Sequence, residues 1–209
     1  MEQIAFLTVA IGDPRYIEQQ KRLVESIKLH HPEAKIFQWT NEYPPGSQPM
    51  GESMYGFKVH AVNYARSKGY WKIVWLDTAC ILVQPIDHYF DLVDDYGLVV
   101  VADENKLINY CHPNAWKWFD AEPNKDWHLT AGSVFVFDFN NYLCERVFYK
   151  WEKAEQAGQF GHKDTRQGHR HDESCLSLAL YTSGSKPVPC ALTRYNEETN
   201  PSIIKMHFK

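Results

Sequence analysis

The chain of 209 residues has a mass of 24.4 kDa and a hydrophobic share of 44%, so it can bury a sizeable core and is most economically a single domain, residues 1–209. Its net charge of −4 and pI near 6.2 argue against a general nucleic-acid binder, which usually carries a basic face. No apolar run approaches the roughly 18 to 20 residues that span a bilayer, and the amino terminus has no basic region typical of a secretory signal. We therefore expect a soluble, cytoplasmic protein.

Cysteine usage also indicates a reducing compartment. The five cysteines are odd in number and widely spaced, and none forms a Cys-x-x-Cys pair. Such a pattern does not predict a disulfide framework.

The amino-terminal segment predicts a strand, a short loop and a helix. The run IAFLTVAIG, residues 4–12, is typical of a buried strand, and apolar residues recur at helical spacing from Tyr16 to His30. This order is typical of a nucleotide-binding half. Gly12 is the only glycine of the loop, so the loop does not match the phosphate-binding turn of dinucleotide-binding proteins.

A second strand and a second helix follow. KIFQWT, residues 35–40, predicts a strand, and the Pro/Gly-rich residues 41–52 predict a surface loop. The helix predicted from Tyr55 to Lys68 carries small or apolar residues on one stripe, and Gly69 stands where a carboxyl-terminal cap belongs. Lys58 lies beside this stripe.

The next segment is the one around which the chain is organised. Ile73 to Leu76 predicts a buried strand that stops at Asp77, and a second apolar run covers Cys80 to Val83. Ligands of open α/β sheets bind at the carboxyl ends of central strands, because the flanking loops diverge there. Asp77 is therefore a candidate ligand-binding residue. The alternative is a helix cap or a turn residue.

The middle of the chain carries carboxylates and then aromatic residues. LVVVADE, residues 98–104, predicts a buried strand with Asp103 and Glu104 at its end. Residues 105–127 predict an irregular segment rich in Trp. Its rings could stack on the face of a bound sugar, or they could only pack against the domain. The rings concerned are Trp116, Trp118, Phe119 and Trp127.

The carboxyl-terminal third predicts one strand, two helices and a polar loop. The strand is TAGSVFVFDF, residues 130–139, and a helix is predicted from Asn141 to Gln156. A polar loop then leads to a second helix at residues 171–184, whose first turn contains Asp172 and Glu173. First-turn acids can simply complement the helix dipole.

Several of these segments, in the same order, resemble the GT-A glycosyltransferases. WLDTACILVQPID resembles the metal-binding signature of the glycogenin-like families, and FKVHAVNYARSKGYWKIVWLD resembles their lysine-bearing helix and strand. TAGSVFVFDF and the tail SIIKMHFK are also similar to segments of those families. The resemblance implies a GT-A fold, which is a mixed, mostly parallel sheet flanked by helices. It also implies transfer of a hexose from a UDP-sugar donor to a glycan or glycoprotein acceptor.

The resemblance assigns roles to individual residues. It implies contacts of Thr8, Ala10 and Tyr16 with the uridine, of Lys58 with the donor phosphates and of Asp103 with the sugar hydroxyls. Gly132 would allow a close approach of the backbone to the donor. Asp77 and His207 would hold a divalent cation, Mn²⁺ or Mg²⁺. The second Asp of the signature is Ala79 here, so one usual metal ligand is absent.

The sequence HDES before the last helix is similar to a motif of the blood-group transferase family, which retains anomeric configuration. This resemblance implies that Glu173 faces the anomeric carbon, whereas Asp172 could instead be the base of an inverting enzyme. A sugar-phosphate nucleotidyltransferase and a non-catalytic nucleotide-sugar binder remain alternatives. The chain further resembles the amino-terminal glycosyltransferase domain of a larger chlorovirus-encoded protein, which implies that the domain belongs to a longer chain.

Overall fold

The computed structural model describes residues 4–161 and 168–188 and two short strands, Thr193–Arg194 and Ile204–Met206. Five strands of the described chain form the main sheet in the order β2-β1-β3-β6-β5. They are β1 Ile4–Ala10, β2 Lys35–Thr40, β3 Lys72–Leu76, β5 Leu98–Lys106 and β6 His128–Asp138. β6 is antiparallel to both of its neighbours, while the other four strands run in one direction. The predicted mixed, mostly parallel sheet is confirmed.

A smaller sheet lies beside the main one. Its order is β4-β8-β7, and its strands are β4 Cys80–Leu82, β7 Thr193–Arg194 and β8 Ile204–Met206. The second apolar run of the central segment therefore forms β4, which pairs in antiparallel fashion with β8. The predicted metal ligand His207 lies outside the described residues.

Helices cover both faces of the main sheet. They are α1 Pro14–His30, α2 Phe57–Ser67, α3 Asp87–Tyr96, α4 Pro113–Trp118, α5 Tyr142–Gln156 and α6 His171–Tyr181, with a 3₁₀ turn at Leu107–Asn109. Side chains of α2, α5 and α6 pack on one face, and side chains of α1 and α3 pack on the other. Strand residues alternate between these two cores because successive side chains of a strand point to opposite faces.

Local sequence signals explain where these helices begin and end. Asp13 caps α1 by accepting a hydrogen bond from the Arg15 amide, and Asn141 caps α5 through the Leu143 amide. Gly69 follows α2 with a left-handed φ of 86°, as its predicted capping position requires.

The structure differs from the sequence-based prediction after β5. Residues 105–127 are not irregular throughout, because β5 continues to Lys106 and is followed by the 3₁₀ turn and by α4. The helix α4 has only six residues, which is too short for a helical repeat to be visible in the sequence. The sequence analysis also did not predict α3.

The described residues include no helix that is both long and apolar enough to cross a membrane. Four cysteines of the described chain are buried and unpaired, namely Cys80, Cys111, Cys144 and Cys175.

Candidate active site

Side chains from four distant segments converge at the edge of the sheet where β3 ends. Asp77 follows β3, and its amide donates to the Ser133 carbonyl of the neighbouring β6. Gly132 lies one residue before that contact, and Asp172 and Glu173 begin α6. The convergence follows from the topology, because β6 pairs with β3 and α6 packs against β6. We call Lys58, Asp77, Asp172 and Glu173 the carboxylate cluster.

Lys58 is the cation at the centre of this cluster. Only 4% of its side chain is exposed. Its Nζ lies 2.8 Å from Asp172 Oδ2 and 3.5 Å from Asp77 Oδ1, and it donates to the Gly132 carbonyl at 2.8 Å. Three oxygens therefore surround an ammonium that has three N–H donors. Lys58 lies among protein oxygens rather than at an open surface.

Two tryptophans of the core orient the acidic segments. The indole N–H of Trp75 donates to Asp77 Oδ1 at 2.8 Å, and that of Trp151 donates to the Asp172 carbonyl at 3.0 Å. Trp75 and Asp77 are two residues apart, so they follow the same face of the extended chain. The position of each acid is thus linked to the packing of a buried ring.

Glu173 is positioned by Gly132. The Gly132 amide donates to Glu173 Oε1 at 3.1 Å. A Cβ at position 132 would lie 2.6 Å from Glu173 Cγ and 3.1 Å from Asp172 Oδ2. Only a glycine leaves room for both carboxylates here, and this requirement comes from the close approach of side chains rather than from an unusual φ.

The cluster shifts the pKa values of its members. Burial alone would lower the pKa of Lys58, but the charges of Asp172 and Asp77 outweigh it and raise that pKa, so the lysine stays protonated. Burial raises the pKa of Asp172 despite its contact with Lys58. Burial and the neighbouring Asp172 raise the pKa of Glu173 to about 7. One ammonium cannot neutralise three carboxylates, and Glu173 is the acid that takes up a proton near neutral pH.

Two clefts open next to the cluster. The main cleft has a volume of about 500 Å³. The side cleft has a volume of about 420 Å³. Among other residues, Tyr16, Asp103 and Ser133 line only the main cleft, and Lys58, Tyr110 and Asp172 line only the side cleft. The two clefts share Tyr55, Asp77, Arg170 and Glu173.

The residues predicted to contact uridine are not all at the main cleft. Tyr16 lines it, with 46% of the residue exposed. Thr8 and Ala10 are fully buried, and the alternate residues Val9 and Ile11 line the cleft instead. Successive side chains of a strand point to opposite faces. A shift of one residue therefore exchanges the side chains that face the cleft with those that face the core.

Asp103, which the resemblance assigns to the donor sugar, lies inside β5 rather than at its end. It lines the main cleft, and its Oδ1 accepts hydrogen bonds from the amide and the side chain of Asn105 at 2.9 and 2.8 Å. These contacts fix the carboxylate at the edge of the cleft.

Two residues that line both clefts, Tyr55 and Arg170, were not predicted from the sequence. The ring of Tyr55 lies 5.4 Å from Lys58 Nζ and 6.1 Å from the ring of His171. Tyr55 and His171 have φ values of 61° and 48°, which are uncommon for residues other than glycine. Such conformations cost about 1–3 kcal/mol each and persist only where their surroundings hold them. No sequence pattern would have indicated either residue.

The described residues do not fit a metal site with three protein ligands. They contain no group of three His, Cys, Asp or Glu side chains that could hold an ion. Asp77 offers a carboxylate, but its Oδ1 already accepts from Trp75 and faces Lys58. Ala79 offers no ligand.

The tryptophans of residues 105–127 lie apart from the cluster. Trp116 is 3% exposed, and it stacks on Trp127, which in turn stacks on Tyr181. Phe119 is also buried, whereas Trp118 is 38% exposed. For Trp116 and Phe119 the structure agrees with the packing alternative.

Comparison with known proteins gives matches in structure only. No family model and no curated protein matches this sequence. The galactosyltransferase LgtC, solved with donor and acceptor sugar analogues, is similar over 98% of this chain and 87% of its own, with a TM-score of 0.54 and 12% identity. Mouse xyloside xylosyltransferase 1 in its apo form is similar over 98% of this chain and 97% of its own, with a TM-score of 0.57 and 8% identity.

The apo structure of the bifunctional glycosyltransferase WbbM is similar over 90% of this chain and 39% of its own, with a TM-score of 0.55 and 10% identity. Such low identities carry information about the fold alone. The match extends over nearly the whole chain and agrees with the sheet and the helices described above. This chain has the GT-A fold of the glycosyltransferases.

Proposed function

We propose that the protein transfers a hexose from a UDP-sugar to a glycan or glycoprotein acceptor and retains the anomeric configuration. The GT-A fold and the glycosyltransferase activity of its structural neighbours support the reaction class. In this proposal the donor occupies the main cleft and the acceptor occupies the side cleft. A volume of about 500 Å³ is in the usual range of small-molecule sites.

The observation that carries the proposal is the place of Glu173. Glu173 lines both clefts, and its carboxyl accepts a hydrogen bond from the Gly132 amide. A retaining transferase needs a carboxylate or another polarising group on the sugar face opposite the leaving diphosphate. Ionised Glu173 would stabilise the positive charge that develops at the anomeric carbon, as carboxylates do in retaining glycosidases.

Asp172 is a poor candidate for the base of an inverting enzyme. Its carboxylate is 4% exposed and lies 2.8 Å from Lys58 Nζ. An acceptor hydroxyl would have to reach a carboxylate that is almost fully buried and already paired with the lysine. The geometry therefore favours Glu173 as the reacting carboxylate and Asp172 as a residue that positions Lys58.

The donor contacts follow from the lining of the main cleft. Tyr16 offers an exposed ring for the uracil base, and Asp103 offers a fixed carboxylate for sugar hydroxyls. Thr8 and Ala10 would support the site from beneath, since their side chains are buried.

The cofactor remains a prediction. It is a Mn²⁺ or Mg²⁺ ion held by Asp77, by His207 and by the diphosphate oxygens, and such an ion would offset the charge of the leaving group. Equal UDP affinity in EDTA and in Mn²⁺ would contradict this part of the proposal. The chloroviral source and the longer parent chain also remain predictions.

A second candidate function is non-catalytic binding of a nucleotide-sugar. The observation in its favour is Ala79, which replaces the second acid of the signature and lines the main cleft. Hydrolysis of UDP-sugars by the purified protein separates the two candidates. An enzyme turns the donor over, even slowly, while a binder leaves it intact.

The replacement Glu173→Gln tests the proposed reaction. A donor is first found by thermal shift with a set of nucleotide-sugars, because a bound ligand raises the melting temperature in a concentration-dependent way. Glu173→Gln keeps the shape of the side chain and removes its charge. We expect turnover to fall by about 10³-fold or more while UDP affinity changes little.

The exposed replacement Glu25→Gln on α1 is the matched control and should leave turnover unchanged. Near-normal turnover of Glu173→Gln would remove Glu173 from the mechanism. NMR spectra of the product would show whether the anomeric configuration is retained, and an inverted product would contradict the retaining assignment.

A further inference from the structure

We propose that Arg170 binds the diphosphate of the nucleotide donor. This inference rests on the proposed function and adds a donor-binding residue that no motif of the sequence indicates. Arg170 precedes α6, is exposed, and lines both the main cleft and the side cleft. It therefore lies where the donor and the acceptor would meet.

The acidic lining of the main cleft favours a cation beside the donor diphosphate. Among its described lining residues, the acids are Asp77, Asp103 and Glu173, and Arg170 is the single Lys or Arg. A diphosphate carries at least two negative charges, and like charges at about 4 Å repel by several kcal/mol where water is partly excluded. Without a neighbouring cation this lining would repel the donor.

Lys58 does not supply that cation to the main cleft. Its Nζ contacts Asp172, Asp77 and the Gly132 carbonyl, and its side chain is almost fully buried. A phosphate contact would require one of these oxygens to be displaced. The positive charge of Lys58 already offsets the negative charges of the carboxylates around it.

Arg170 has a fixed backbone and a guanidinium that is available to bind phosphate. Its amide donates to the Tyr110 carbonyl at 3.0 Å and to Ser174 Oγ at 2.9 Å, which fixes the backbone. Its guanidinium lies 5.2 Å from the centre of the Tyr110 ring, and Arg170 makes no ion pair with another described residue. A planar guanidinium can donate two parallel hydrogen bonds to phosphate oxygens.

The same contact would assist the reaction. When the bond between the anomeric carbon and the β-phosphate oxygen breaks, its electron pair stays on that oxygen as negative charge. A guanidinium bound to the diphosphate stabilises this charge, while Glu173 stabilises the positive charge on the sugar.

The test compares UDP with uridine, which lacks the phosphates. UDP affinity is measured by calorimetry and uridine affinity by NMR titration, for the wild type, Arg170→Gln and Arg170→Lys, with Mn²⁺ and with EDTA. We expect Arg170→Gln to weaken UDP binding by about 10- to 100-fold, the effect of losing charge-assisted hydrogen bonds. Uridine affinity should change by less than about 3-fold, and Arg170→Lys should retain part of the UDP affinity.

The control is Arg146→Gln, an identical change of an exposed arginine on α5 whose guanidinium contacts the Thr182 carbonyl. It should alter neither affinity. Equal UDP affinity of the wild type and Arg170→Gln would overturn the inference and leave the proposed function intact. A loss that is equal for UDP and uridine would also overturn it. If the wild type binds neither UDP nor a UDP-sugar, both the proposed function and the inference are wrong.

Discussion

The carboxylate cluster and the tryptophan-rich residues 105–127 differ in what holds them in place. In the cluster, one buried ammonium lies among three acids, and two of those acids have raised pKa values. In the tryptophan-rich segment, the ring of Trp116 stacks on Trp127, and Trp127 stacks on Tyr181 of α6, so these rings pack with the core. Both regions were functional candidates from the sequence.

The difference between them is energetic. Burying aromatic rings is favourable without any ligand, so it needs no functional explanation. Burying carboxylates costs free energy, and a buried ion pair seldom stabilises a fold relative to apolar residues of the same size. A cluster that persists at the edge of a cleft is therefore the stronger indication of a functional site.

The largest expected effect is a loss of stability when Lys58, the cation of the carboxylate cluster, is replaced. Lys58→Met removes the ammonium but keeps an unbranched buried chain, and it leaves Asp172 buried without a counter-ion. We expect the free energy of unfolding to fall by about 3–5 kcal/mol. Urea denaturation at pH 7 measures the change.

Two further variants sharpen this prediction. Lys21→Met breaks an exposed pair with Glu18 and should cost less than about 1 kcal/mol. In the double variant Lys58→Met/Asp172→Asn the second change removes the orphaned charge, so it should regain part of the loss. A cost below about 1 kcal/mol for Lys58→Met alone would mean that Asp172 is not ionised in the folded protein.

The next effect is the pH dependence of stability contributed by Glu173. Its pKa is about 7 in the folded protein against a usual value of 4.5, so the folded state holds the proton more tightly than the unfolded state. Protonated Glu173 therefore contributes stability that is fully present below pH 4.5 and is lost as the pH rises towards and through 7. The loss is at most about 3.5 kcal/mol, since the rise of the pKa from 4.5 to about 7 is about 2.5 units and one pKa unit corresponds to about 1.4 kcal/mol.

Urea denaturation of the wild type and Glu173→Gln at pH 5 and pH 8 isolates this contribution. The variant has no titrating group at position 173, so the wild type should lose more stability than the variant between the two pH values. Parallel losses would show that Glu173 titrates in the folded protein as it does in water.

A third effect concerns the space that Gly132 leaves for the acids. In Gly132→Ala the new Cβ would lie 2.6 Å from Glu173 Cγ, so the side chain of Glu173 must move. We expect a loss of about 1–3 kcal/mol in stability, as for overpacking in general, and a larger loss of turnover than of UDP affinity. Gly51→Ala is the control, because nothing lies within 4 Å of a Cβ at position 51.

The sequence predicts most of the sheet and part of the site. The strand that ends at Asp77 was visible because an apolar run stops at a carboxylate. Asp172 and Glu173 were indicated by their motif, which lies in the first turn of α6. These signals are local, and each depends on a few adjacent residues.

The rest of the candidate site depends on contacts between distant segments of the chain. Lys58 and Gly132 are 74 residues apart, and no pattern indicates that the lysine amine reaches the glycine carbonyl. The resemblance names Thr8, whereas Val9 lines the main cleft, because the face that a strand residue occupies depends on its register with neighbouring strands, which the sequence does not specify. Arg170 has no motif, and its proposed role follows only from the charges that tertiary structure brings near it.

The smallest expected effect is at the most exposed ring of the tryptophan-rich segment. Trp118 is 38% exposed and packs edge-to-face on Phe119, with ring centroids 4.7 Å apart. If this segment only packs, Trp118→Ala should lower the free energy of unfolding by the lost ring pair, about 0.5–1.5 kcal/mol, and by the lost burial of a partly covered ring. Turnover and the KM for the acceptor should then change by less than about 3-fold.

If Trp118 stacks on an acceptor sugar instead, the same variant should raise the KM for the acceptor by about 10-fold, which corresponds to about 1.4 kcal/mol, without weakening UDP binding. Steady-state kinetics with varied acceptor and saturating donor distinguish the two results, and the second would extend the functional site from the carboxylate cluster to α4.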